Sequence, residues 1–249
     1  MKTNLEMVKR QSKLLFDMVS FEDARSIIDD GLSGLIISHP FTNSAFVLDK
    51  ETKQIVNLYD DEKNQEKYRN TMFEMIDSAD SLTRMAMFIN KPYLLYWFHL
   101  IHKYLGEKDY AEMLKHVWVE SENPNMDVNV PVMESLGFFE EADIRYLMDK
   151  EEKAIYDKIP NEVTLYRGVS KGRNSYGLSY TLDKEKAKWF MNRFYKNEGH
   201  LITLNVKKED CICYLNVRDE KEVVLNINHY LKEIGAQIPK ENSLCDLKH

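Results

Sequence analysis

The chain has 249 residues, 43% of them apolar, enough to bury a real core in one or two domains. Its 34 basic and 41 acidic residues leave a net charge of -7, which argues against a broad grip on a phosphate backbone but allows a local basic patch. No run of roughly 18 apolar residues would span a bilayer, the first residues hold no apolar signal core, and three cysteines make no disulfide framework, so we expect a cytoplasmic protein without membrane contact.

Residues 1–31 read as an amphipathic helix, with Leu14, Leu15, Met18 and Val19 at helical spacing. Residues 35–37, 45–48 and 55–58 read as short strands. Asp49, Lys50, Glu51 and Thr52 form a turn between the last two. The charged stretch 60–67 suggests a boundary, separating a helix-and-hairpin region at 1–60 from a domain at 61–249. Residues 66–158 read as helical. Met72, Met75, Ile76 and Ala79 give one apolar face, and Leu94, Leu95, Phe98 and Ile101 give another. Asp109 precedes a helix bearing Met113, Leu114 and Val117. Residues 143–159 form a last helix, closed by Pro160.

From Val163 onward the pattern is strand-like, at 163–166, 177–180, 201–206, 211–216 and 222–227. One helix interrupts it at 183–194, capped by Asp183, with Ala187, Phe190 and Phe194 on one face. A helical block followed by a strand block predicts an α+β fold rather than alternating α/β.

Several constellations read as structural. His99 and His102 are three apart on an apolar helix, without a third ligand at metal-binding spacing, and are expected to be packed. Cys211 and Cys213 are expected to lie on one strand face as small core residues. There is no phosphate-binding glycine loop and no Gly-x-Ser-x-Gly elbow.

Three segments carry more chemistry. Leu165, Tyr166, Arg167 and Gly168 place an arginine fork at a strand end, beside a glycine that permits close approach to the backbone. Ser179 and Thr181 share one strand face, with Tyr180 opposite. Glu220 and Glu222 stand two apart before an apolar strand, so both carboxylates can point the same way.

In this order the segments resemble the Arg, Ser-Thr-Ser and Glu-x-Glu signature of the mono-ADP-ribosyltransferase superfamily. Here it reads Arg167, then Ser179, Tyr180 and Thr181, then Glu220, Lys221 and Glu222. The resemblance covers residues 163–227, and the preceding helices resemble those before the first core strand of that fold; residues 1–60 have no counterpart. Tyr180 stands where the signature has Thr, and Thr181 where it has the last Ser. This variant is similar to phage and bacterial members with an aromatic residue at that place.

The resemblance implies a mixed, mainly antiparallel β core over 163–235 with an NAD cleft, NAD as co-substrate and no metal. It implies that Glu222 stabilises an oxocarbenium-like ribose, as in glycoside cleavage, while Ser179 holds Glu222 in place. Arg167 would meet the NAD phosphates, the Gly168 backbone the nicotinamide amide, and Thr181 the nucleotide site. Tyr180 or Phe190 would stack on nicotinamide, and Arg193 would meet phosphate. Glu220 would orient or deprotonate a macromolecular acceptor, with protein arginine the first choice and nucleic acid the alternative. Such a chain would act as an intracellular toxin, phage or defence effector, with an antitoxin or regulator as a further partner. A non-catalytic binding module with a degenerate site is the remaining reading.

Overall fold

Asn4 opens the first helix, accepting a hydrogen bond from the Met7 N–H, and α1 runs Leu5–Met18. The computed structural model describes residues 2–24, 36–121 and 123–233. The chain forms two compact units, Met1–Val130 and Pro131–His249.

In the first unit, α1 buries Val8, Ser12, Leu15 and Phe16. This stripe differs from the expected one, because Leu14 and Met18 are about half exposed. The helix also stops at Met18, and residues 25–31 of the expected helix, like Leu35 of the first expected strand, lie outside the described residues. β1 (Ile36–His39) pairs with β2 (Thr42–Ser44), a polar strand that apolar patterning does not reveal. β3 (Phe46–Leu48) pairs antiparallel with β4 (Ile55–Asn57), as expected. The Asp49 carboxylate accepts from the Glu51 and Thr52 N–H groups and closes the turn.

The charged stretch 60–67 is a helix start rather than a linker. Asp61 caps α2 (Glu62–Ser78) by accepting from the Lys63 N–H. α3 (Leu82–Ala86), α4 (Leu94–Ile101) and α5 (Glu107–Glu120) follow. Asp109 lies within the first turn of α5, whose cap is Gly106. α1 packs on α2 and α4, and Trp97 of α4 donates its indole N–H to Ser12 at 2.8 Å. The helices after residue 60 therefore share a core with residues 1–60, and the units divide after Val130 instead.

In the second unit, α6 (Val132–Glu141) precedes two short helices, α7 (Ile144–Leu147) and α8 (Lys150–Asp157). A single helix over 143–159 does not form. Met148 is extended, and Asp149 begins a new helix through a reciprocal capping box with Glu152. The strands are β5 (Glu162–Val169), β6 (Ser179–Thr181), β7 (His200–Lys207), β8 (Cys211–Leu215) and β9 (Glu222–Leu225). All neighbours are antiparallel, in the order β7-β5-β6-β9-β8. α9 (Lys184–Asn192) packs on β5, β6 and β7, while α7 and α8 pack on β8. Cys211 and Cys213 are both buried, but a register shift between them breaks the alternation that would put both on one face. Residues 234–235 of the expected core lie outside the described residues.

The architecture is thus α+β with an antiparallel sheet. No helix among the described residues is long and apolar enough to cross a membrane.

Candidate active site

The three sequence segments fall on three adjacent strands, with β6 between β5 and β9. Thr181 lies opposite Tyr166 on one side and Glu222 on the other, and Ser179 lies opposite Val224. Directly opposed residues share a face, so Ser179, Thr181 and Glu222 project together, as expected for the first two. Ser179 is the diagonal neighbour of Glu222, a separation that a glutamate side chain can bridge. The same alternation sends Arg167, Tyr180 and Val223 to the other face.

Arg167 is used by its own fold. One Nη donates to the Ser179 carbonyl at 2.9 Å, the other to the Asn174 carbonyl at 3.3 Å. The guanidinium thus ties β5 to β6 and to the intervening loop. Its Nε is buried without a hydrogen-bond partner. Burial lowers the Arg167 pKa, against the raising influence of Tyr180 and Glu222.

Tyr180 is only 2% exposed, so it is a core residue and not an exposed ring on which a ligand could stack. Burial pushes its phenol up to about 12, and its hydroxyl has no hydrogen-bond partner. Gly168 also differs from expectation. A Cβ there would lie 1.8 Å from the Ala187 carbonyl oxygen and 2.6 Å from the Met191 nitrogen. The close approach that the glycine permits on its Cβ side is that of α9.

Thr181 turns its hydroxyl to the neighbouring turn. It donates to the Glu220 carbonyl at 2.9 Å and accepts from the Asp183 N–H at 3.1 Å. Asn216 accepts from the Lys221 N–H at 2.9 Å, and the Lys221 ammonium meets Asp183 at 2.8 Å. Asp219 and Lys221 are left-handed, with φ of 54° and 49°. Each such residue costs on the order of 1 kcal/mol, and strain of this kind concentrates at functional sites. Glu220 is therefore held between two strained residues, and Glu222 begins β9 at 8% exposure.

Burial raises the Glu220 pKa, outweighing Arg218, Arg193 and Lys186, which lower it. Arg193 is among the expected site residues; Lys186 and Arg218 are additions. Lys186 and Arg193 stand seven apart, which is two helical turns, so helical spacing was the available signal. Phe190 is half-buried, and its ring meets Trp189 edge-on at 5.0 Å. The Ser170 hydroxyl donates to the Phe190 carbonyl at 2.6 Å.

Among the described residues, no group of three or more His, Cys, Asp or Glu side chains could hold a metal. His99 stacks on Tyr96 at 5.7 Å and His102 on Phe98 at 6.1 Å, so both take part in aromatic packing. A cavity of about 420 Å³ in the first unit is lined by Thr3, Asp80, Asp109, Glu112 and His116 among others. It contains none of the residues on β5, β6 or β9.

No protein-family model, curated protein or solved structure matches this chain.

Proposed function

We propose that this chain is a mono-ADP-ribosyltransferase that cleaves NAD and passes ADP-ribose to a macromolecular acceptor. The observation that carries the reading is the shared face of Ser179 and Glu222 on adjacent strands, one residue from a strained turn bearing Glu220.

In this reaction the bond between the ribose C1′ and the nicotinamide nitrogen breaks, and nicotinamide leaves with the electron pair. The Glu222 carboxylate stabilises the positive charge that develops on the ribose. An acceptor nucleophile forms the new bond to C1′, and its proton passes to Glu220. A carboxylate whose pKa is raised by burial is a better base for that step than a solvated one. Arg193, with Lys186 on the same helix, is suited to the NAD phosphates, and Phe190 is the aromatic candidate for nicotinamide. Arg167 acts chiefly by fixing β6, since two of its nitrogens already donate to backbone carbonyls.

The test is incubation of the full chain with adenylate-labelled NAD and cell lysate. We expect nicotinamide release and label on a macromolecular fraction, both abolished in Glu222→Gln. Absence of release and of label from every fraction would overturn the proposal.

A further inference from the structure

At the C-terminal end of α9 the surface carries three large aromatic side chains. Trp189 and Phe194 are each 56% exposed, and Tyr195 is 51% exposed. Cations stand over them. The Arg193 guanidinium lies 5.3 Å from both the Trp189 and Phe194 rings, Arg173 lies 5.3 Å from Phe194, and the Lys171 ammonium lies 5.7 Å from Tyr195. Rings and cations therefore alternate along a surface built from two separate segments. Those segments meet because α9 presses on β5 at Gly168.

The same stretch of chain is rich in positive charge. Residues 167–198 hold eight lysines and arginines, one of them Arg167 with its buried Nε, against three acidic residues, in a chain whose net charge is -7. Lys171 pairs with Glu198 at 2.5 Å. Among the described residues, Arg173 and Arg193 stack on rings instead of pairing with carboxylates. Arg193 also acts electrostatically on Glu220, the carboxylate assigned to the acceptor.

We propose that this row binds single-stranded nucleic acid, and that a nucleotide of the bound strand receives the ADP-ribose. The acceptor half of the proposal rests on the transferase reading. Unpaired bases offer flat faces to exposed rings, while the phosphates between them meet Arg173 and Lys171, leaving Arg193 to the NAD phosphates. A duplex hides its base faces within the stack. An arginine-bearing acceptor segment would be repelled by Arg193 and Arg173, which points away from protein arginine. In the transfer, the C1′–nicotinamide bond breaks and nicotinamide leaves. A C1′–N or C1′–O bond forms to a base amine or hydroxyl of the strand, whose proton goes to Glu220.

The experiment titrates the full chain, without NAD, against fluorescent single strands of roughly 12 nucleotides, RNA and DNA, with a duplex as control. Anisotropy is read at low and moderate salt. We expect single strands to bind better than duplex and to weaken with salt. Trp189→Ala and Phe194→Ala should each lose about tenfold in affinity, and Arg173→Ala should flatten the salt dependence. Trp189→Phe should restore binding, which separates lost stacking from lost folding. In parallel, label from NAD is followed into nucleic-acid and protein fractions, with nicotinamide release measured for each variant.

Ring-dependent strand binding with nuclease-sensitive label supports the proposal. Strand binding unchanged in both ring variants overturns it, as does a rise in KM for NAD that accompanies unchanged strand binding. Label confined to protein, with no strand binding, overturns it while leaving the transferase reading in place. Ring-dependent binding without any nicotinamide release removes the acceptor role and the transferase reading, and leaves the strand-binding row.

Discussion

The two units bury polar side chains in different settings. In the first, His39 is fully buried in an aromatic cage, stacked on Phe21 at 4.6 Å and 10°, and edge-on to Phe16 at 4.6 Å. Its Nδ1 accepts from the Phe41 N–H at 3.2 Å, and burial lowers its pKa to about 4, so the ring is neutral and acts as packing. In the second, Arg167, Thr181 and Glu222 sit on three adjoining strands, beside a turn with two left-handed residues. Burial is common to both, and so is a buried nitrogen without a hydrogen-bond partner, His39 Nε2 in the first and Arg167 Nε in the second. Among the described residues, a cluster across three strands beside a turn with two left-handed residues is found only around the second set, and this distinguishes a candidate site from a packed polar residue.

The largest effect expected from breaking this contrast is kinetic. Glu222→Gln should reduce nicotinamide release by roughly 10²–10³-fold, the scale of removing one electrostatic stabiliser, with an unchanged melting temperature. His39→Leu should leave release intact. Undiminished release in Glu222→Gln would erase the distinction between the two buried sets.

Next comes the close packing of β5 on α9. Gly168→Ala drives a methyl into the backbone of α9 and should cost about 3 kcal/mol in urea denaturation. Gly137→Ala, where a Cβ meets nothing within 4 Å, should be neutral or stabilise by about 0.5–1 kcal/mol as a helical alanine. Equal effects at the two glycines would contradict the packing described.

In the first unit the expected effect is pH-dependent. The folded pKa of His39 is about 4, against an ordinary 6.5. Between those values the unfolded chain binds a proton that the folded chain does not. The contribution of His39 is therefore complete above pH 6.5 and is lost as pH falls to 4, by about 3 kcal/mol. His39→Leu should flatten that part of the stability profile, read from urea titrations at several pH values. The smallest effect is local. Asp149→Ala removes the capping box of α8 and should lower stability by about 1 kcal/mol, without changing nicotinamide release.

How much of this was legible in the sequence depended on the range of each signal. The hairpin at β3 and β4 was legible because Asp49 closes its turn within three residues. α9 was legible because Asp183 caps it, accepting from the Glu185 and Lys186 N–H groups. The shared face of Ser179 and Thr181 follows from strand alternation alone. The break between α7 and α8 was missed although Asp149 and Glu152 carry its signature, since the apolar pattern runs on through Met148. β2 was missed because Thr42, Asn43 and Ser44 carry no apolar signal, and their strand exists only through pairing with β1.

By itself, then, the order of amino acids determined the α+β sequence of elements, the caps and turns, and the three segments that carry the proposed chemistry. Only the tertiary structure decided that Tyr180 is core, that α9 covers Gly168, that Arg167 binds backbone carbonyls, and that burial raises the Glu220 pKa. The physical reason is separation along the chain. Caps and alternation act between residues a few positions apart, whereas the Thr181 hydroxyl finds the Glu220 carbonyl 39 positions away, and only strand register brings them together.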